Sequence, residues 1–134
     1  MRVLFVCKHN RFRSKIAEAA FKKINKNKNL KVSSAGVFKG FPTENIVVKI
    51  GNKFGLKIPK KTKGLIEKEI YKVDLLIITA NDVPASLFKN KVKKIIVWKI
   101  PDTSQNNIRK IEEIIRIIIK KVDKLVYQLN RRRK

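Results

Sequence analysis

Cys7 is the only cysteine in the 134-residue chain, and Arg13 stands six positions after it. Lys8, His9, Asn10, Arg11 and Phe12 lie between them, and Ser14 follows. Val3, Leu4, Phe5 and Val6 form a continuous apolar run ahead of the cysteine, the pattern of a strand covered on both faces. Helical spacing then begins near Ser14, with Ile16, Ala20 and Ile24 on one face. The thiol therefore falls at a strand's carboxyl end, in a loop that feeds a helix N-terminus. Backbone N–H groups there lack intrahelical partners and make a cradle for an anion. The same field favours a thiolate over a thiol. The planar fork of Arg13 can grip two oxygens of a tetrahedral oxyanion. Ser14 can reach the sulfur with its hydroxyl. Asn10 suits a tight loop, because it tolerates the left-handed region and its amide can bridge backbone groups.

A thiolate at the base of an anion cradle, beneath an arginine, is equipped to attack phosphorus while amides and Arg13 stabilise the equatorial oxygens. Cys7 is thus the candidate nucleophile, and Lys8, His9, Asn10, Arg11, Phe12, Arg13 and Ser14 are the candidate phosphate-binding set. Taken singly, Cys7 also reads as a small buried apolar residue and Arg13 as one more surface charge. Their spacing in this context selects the phosphoryl-transfer reading. His9 is the only histidine. So tight a loop should turn its imidazole away from the thiol, which gives it a supporting role.

Such a reaction also needs a proton for the leaving oxygen and a base for the water that follows. The chain has four aspartates. Asp74 precedes a strand, at the wrong edge of a sheet, and Asp123 lies on the last helix. Asp82 and Asp102 both follow strands at the correct edge. Asp82 lies between Asn81 and Val83-Pro84, where capping of a short helix is the natural role. Asp102 follows Pro101, which stiffens an exposed loop.

The elements that must carry these residues alternate. Strands are expected over residues 3–6, 30–35, 75–80 and 95–100, and helices over 14–25, 44–54, 65–71 and 104–129, with a short helical turn ending at Phe88. Thr43 is positioned to cap the second helix and Gly55 to stop it. Residues 36–42 and 59–64 are connectors. The last helix should bury Ile108, Ile111, Ile115, Ile118, Val122, Leu125 and Leu129. Apolar strands alternating with helices imply an α/β fold: one domain over residues 1–134, a four-stranded parallel sheet with helices on both faces. Ligands of such sheets bind at the carboxyl ends of the strands, where the strand order switches.

Composition narrows the function classes. A hydrophobic fraction of 43% supports a core and excludes a disordered basic tail. No apolar run approaches the roughly 20 residues of a membrane span, and the run before Lys8 is shorter than the ~7–15-residue core of a signal peptide. A soluble, cytoplasmic protein is expected. One cysteine excludes an internal disulfide and a multi-cysteine zinc site, and no metal or cofactor is expected. The net charge of +24 predicts attraction to anions. The lysines are nonetheless diffuse, with a compact block only in the last four residues. No recognition motif accompanies them, so nucleic acid is not the expected main partner.

Cys7-x5-Arg13-Ser14 after a first strand resembles the low-molecular-weight protein tyrosine phosphatases and the related thioredoxin-coupled arsenate reductases. Ala17-Glu18-Ala19, Ser33-Ser34-Ala35-Gly36, the stretch from Asp74 to Asp82, and Trp98-Lys99-Ile100-Pro101-Asp102 extend the likeness over essentially the whole chain. The resemblance implies that Asp102 is the general acid. It implies a monomeric phosphatase acting on phosphoproteins or small aryl phosphates, with inorganic phosphate or another oxyanion as product or inhibitor. Thr103 and Ser104 stand where these phosphatases commonly carry Pro and Tyr. His9 replaces their usual Gly, as in the reductase-like branch. Phe38 and Phe41 are left either to wall the substrate pocket or to anchor their loop in the core. A reductase would need an external thiol, since residues 78–85 contain no cysteine. A non-catalytic anion-binding module is the remaining alternative.

Overall fold

The computed structural model describes residues 1–104 and 106–131. The chain runs β1 (Arg2–Cys7), α1 (Arg13–Ile24), β2 (Lys31–Gly36), α2 (Asn45–Lys53), α3 (Glu67–Ile70), β3 (Leu75–Ile78), a 3₁₀ turn (Ala85–Phe88), β4 (Lys94–Val97) and α4 (Ile108–Arg131). The four strands form one parallel sheet in the order β2-β1-β3-β4. The chain leaves β1 for β2 on one side and returns to β3 on the other. The switch point of an open α/β sheet therefore falls at the carboxyl end of β1, where Cys7 stands.

Strand alternation divides the core. Val3, Phe5, Leu75 and Ile77 face α1, α2 and α4, while Leu4, Val6, Leu76 and Ile78 face Ile70, Val83, Phe88 and Val92. Central strands buried on both sides must be apolar, as β1 is from Val3 onward and β3 is throughout. Phe5 stacks edge-on to Phe21 and tilted against Trp98, with ring centroids 6.0 and 5.8 Å apart. α2 ends at Gly55 (φ +75°), where Leu56 N–H donates to the Gly51 carbonyl and Gly55 N–H to that of Asn52. This is the left-handed stop that glycine supplies without strain.

Several expectations are corrected. Helical elements lie on both faces as expected, but unequally: among the described residues the second face carries the single turn α3 and the 3₁₀ turn. α3 is shorter than residues 65–71, because Leu65 N–H pairs instead with the Gly36 carbonyl. Thr43 does not cap α2. Its N–H donates to the Lys60 carbonyl, Glu44 takes the cap position without a side-chain capping bond, and the buried Thr43 hydroxyl has no partner among the described residues. β4 stops at Val97, since Ile100 N–H turns back to the Trp98 carbonyl. The α4 stripe is wider than expected, adding Ile114 and Val126, because the helix packs on α1 and α2 as well as on the sheet. Ile108, at its first turn, is exposed. Residues 132–134 of the basic tail lie outside the described residues. No helix among the described residues is long and apolar enough to cross a membrane.

Candidate active site

Cys7 closes β1, and six residues later Arg13 opens α1. The helix start at Phe12 has no side-chain cap, and the first turn of α1 carries no acidic residue. Its amides are thus neither bonded nor neutralised by a cap, as an anion-binding terminus requires. Cys7, Lys8, His9, Arg11, Phe12, Arg13 and Asp102 line a pocket of about 70 Å³. That is about two water volumes, the scale of one tetrahedral oxyanion. Asn10 and Ser14 do not line it; they are buried behind it.

Their position defines a directed chain of hydrogen bonds. Lys63 N–H donates to Asn10 Oδ1 over 3.0 Å, which orients the amide. Asn10 Nδ2 then donates to Ser14 Oγ (2.8 Å) and Ser34 Oγ (3.0 Å). Because both hydroxyl oxygens accept from a group that can only donate, each has its own proton free. Ser34 donates to Glu18, which also pairs with Lys22 at 2.7 Å. Ser14 Oγ lies 3.0 Å from Cys7 Sγ, a hydrogen bond in which either group can donate, and its free proton can serve a thiolate there. Asn10 adopts φ +58°, the left-handed conformation it tolerates better than most residues. Gly36 allows the loop to lie against β2: a Cβ there would sit 2.6 Å from the His9 carbonyl carbon and 2.7 Å from Asn10 N.

Asn10→Ala should lower stability by about 2–4 kcal/mol, combining hydroxyls and an amide left unpaired with a strained positive φ. Asn10→Gly should recover only the backbone share, about 1 kcal/mol. Denaturant midpoints of the two variants would separate these effects. Equal midpoints would mean that φ at this position costs nothing.

Arg13 is 3% exposed and held on two sides. Nη1 donates to the Ile100 carbonyl at 2.9 Å, and Nη2 to Asp82 Oδ1 at 3.1 Å. Asp102 Oδ2 stands 3.9 Å from the same Nη2. Asp82 is therefore not a helix cap: Pro84 holds that position, without a side-chain bond. The turn after β3 carries the Asp82 carboxylate over the sheet edge to Arg13. The signal was available in the sequence, since Asp82 follows β3, the strand beside the switch point, while Asp102 follows β4 one strand further out. Ser34 and Glu18 were likewise present in the motifs, without an assigned contact.

The other rim residues are also placed. Arg11 straps the neighbouring loop, donating to the carbonyls of Phe41 (3.1 Å) and Pro42 (3.2 Å) and to Glu44 Oε1 (2.8 Å). The exposed His9 ring lies beside Phe38, centroids 6.2 Å apart, while the Cys7 sulfur pairs with Ser14. Phe38 and Phe41 are 60% and 80% exposed, which excludes the core-anchor role for both. Lys15, buried beside this region, donates to the Lys61 carbonyl, and burial pushes its pKa down.

The model of the low molecular weight phosphotyrosine protein phosphatase family matches residues 2–134. The chain belongs to this family. Solved structures agree. A low molecular weight protein tyrosine phosphatase from T. tengcongensis is 27% identical, with 96% of this chain and 99% of that one aligned at a TM-score of 0.82. An arsenate reductase from Archaeoglobus fulgidus is 30% identical, over 92% and 98% of the two chains, at 0.79. A mutant of YwlE from Bacillus subtilis shares the fold at 23% identity, over 97% and 99%, at 0.84. No curated protein matches the chain. Membership in the low molecular weight phosphatase family supports a cysteine-dependent phosphatase or the allied arsenate reductase chemistry.

Proposed function

We propose that the chain is a phosphatase that hydrolyses phosphomonoesters, protein phosphotyrosine or an aryl phosphate, through a cysteinyl-phosphate intermediate. The observation that carries this reading is the convergence of Cys7, Arg13 and Asp102 on one oxyanion-sized pocket. The Cys7 thiolate attacks phosphorus and the ester P–O bond breaks, while Asp102 gives its proton to the leaving oxygen. Water then attacks the phosphorus of the cysteinyl phosphate. Asp102 takes the proton from that water, the S–P bond breaks, and phosphate leaves as the thiolate is restored. Arg13 and the loop amides stabilise the equatorial oxygens in both steps. Asp102 is 58% exposed on the lining of that pocket, with Oδ1 accepting from Thr103 N–H at 2.9 Å.

The arsenate reductase at 30% identity favours a second reading. With a single thiol the chain would have to take a second one from outside. Hydrolysis of p-nitrophenyl phosphate, with arsenate reduction measured on the same sample, separates the two. Arsenate reduction with an added thiol and no phosphate release would overturn the phosphatase reading.

Asp102→Asn should slow an alkyl or unactivated aryl phosphate by about 10²–10⁴-fold, the usual contribution of a general acid. It should slow a substrate with a very acidic phenol far less, since that leaving group needs little proton help. Asp82→Asn, which loosens Arg13, should slow both substrates alike. Rates plotted against leaving-group pKa provide the check. A steeper slope for Asp82→Asn, with Asp102→Asn unchanged, would transfer the acid role to Asp82.

A further inference from the structure

The second face of the sheet is incompletely covered. The crossover from β2 to β3 spends one helical turn there, and a groove of about 660 Å³ remains over β1 and β2. That volume is in the range of specific ligand sites. Leu4 and Ala35 contribute to its floor, and Leu65, Ile66, Ile70 and Val73 supply an apolar wall. Arg2, Lys31 and Lys72 stand at the end where the strands begin, and Lys39 and Lys63 at the end where they finish. None of these five cations has a carboxylate within ion-pair distance among the described residues. Glu69 is the one acid on the lining. Ile66 is 51% exposed at the mouth.

The length and polarity of the groove select an occupant. It follows β2, six residues long, or about 20 Å at 3.3 Å per residue. Cations at both ends suit a chain with acidic groups at both ends and apolar groups between. A single-headed amphiphile would satisfy only one end. The groove also adjoins the catalytic pocket. Lys39 lines it, and the neighbouring Phe38 N–H donates to the Lys8 carbonyl at 3.0 Å. Lys8 and His9 line the oxyanion pocket. A segment lying in the groove thus emerges beside the phosphate site.

We propose that this groove docks an extended segment of the phosphoprotein substrate, acidic at both ends and apolar at its centre. The word substrate rests on the phosphatase reading above; the binding itself does not. The test uses a labelled, unphosphorylated hexapeptide with two acidic residues at each end and Leu-Val between, followed by fluorescence anisotropy. Lys31→Glu combined with Lys72→Glu should weaken its binding by about tenfold or more. The same peptide with Ser-Ser at the centre should bind wild type about tenfold more weakly, as expected when the apolar wall contributes. Equal binding of the two peptides, or no effect of the charge reversals, would reduce the groove to part of the general basic coat and overturn the proposal. So would a dodecyl carboxylate that binds, loses affinity in the double variant, and finds no peptide to displace. In a second arm, a phosphopeptide extended by the acidic segment should show a lower KM than the phosphopeptide alone, in wild type but not in the double variant. p-Nitrophenyl phosphate should be turned over equally by both proteins. Failure of wild type to hydrolyse p-nitrophenyl phosphate would sink the catalytic reading, while the anisotropy result would still decide the docking site.

Discussion

Cys7→Ser should lower turnover of an aryl phosphate by about 10⁴-fold or more, the scale of losing a nucleophile that acts as part of a unit. The fold should survive. Cys7 is buried beside Ser14 Oγ, so a serine there finds a hydroxyl partner in the same place. A cost of about 1 kcal/mol is expected, a few degrees in thermal midpoint for a domain of this size. Steady-state rates and a melting curve on the same preparation check both halves. Persisting wild-type turnover would remove Cys7 from the chemistry. Lost activity accompanied by a collapsed melting curve would show only that the site needs the native loop. Wild type should also yield a phosphorylated Cys7 when quenched during turnover, detected by mass, and the serine variant should not yield a phosphocysteine.

Arg13→Lys should be nearly as damaging as Arg13→Ala, with kcat falling about 10²–10³-fold in each, the usual consequence of losing an aligned oxyanion donor. Charge is not the deciding property. The guanidinium binds the Ile100 carbonyl through Nη1 and Asp82 through Nη2. Those two bonds fix the plane of the guanidinium, and Arg13 also lines the small pocket beside Cys7. A lysine ammonium is a compact point charge and cannot hold both supports while presenting two parallel donors. Inorganic phosphate should also inhibit the lysine variant less well. Retention of most activity in Arg13→Lys would make the role simple electrostatics and would remove Asp82 as its positioning partner.

Much of this protein was legible in its residues. The continuous apolar runs of β1 and β3 announced strands buried on both faces, because a parallel sheet wedged between layers offers no polar side. The spacing from Cys7 to Arg13 between a strand and a helix pointed to the loop that lines the small pocket at the sheet edge, because helix starts expose amides wherever they occur. The left-handed geometry of Asn10 and the αL stop at Gly55 followed from the conformations that Asn and Gly tolerate.

What the sequence could not determine depended on contacts between segments distant in the chain. Asp82 and Asp102 were equivalent as residues after strands, and only the packed sheet edge brings Asp82 to 3.1 Å from the Arg13 guanidinium and leaves Asp102 exposed on the pocket rim. Thr43 has the chemistry of a helix cap, yet the Lys60 carbonyl, seventeen residues on, takes its N–H and moves the cap elsewhere. Ser34 and Glu18 complete the network behind Cys7 because β2 and α1 pack together, a proximity no local spacing encodes. The groove left open over part of the second face of β1 and β2 has the same origin. Local propensity places a helical turn near Glu67, but how much of the sheet it covers depends on where the crossover is anchored. Here Gly36 holds it by backbone bonds to Lys63 and Leu65. Local sequence thus set the elements and the position of the thiol. Long-range packing selected the partners of Arg13 and left the groove open, because those outcomes depend on distances that only the closed fold defines.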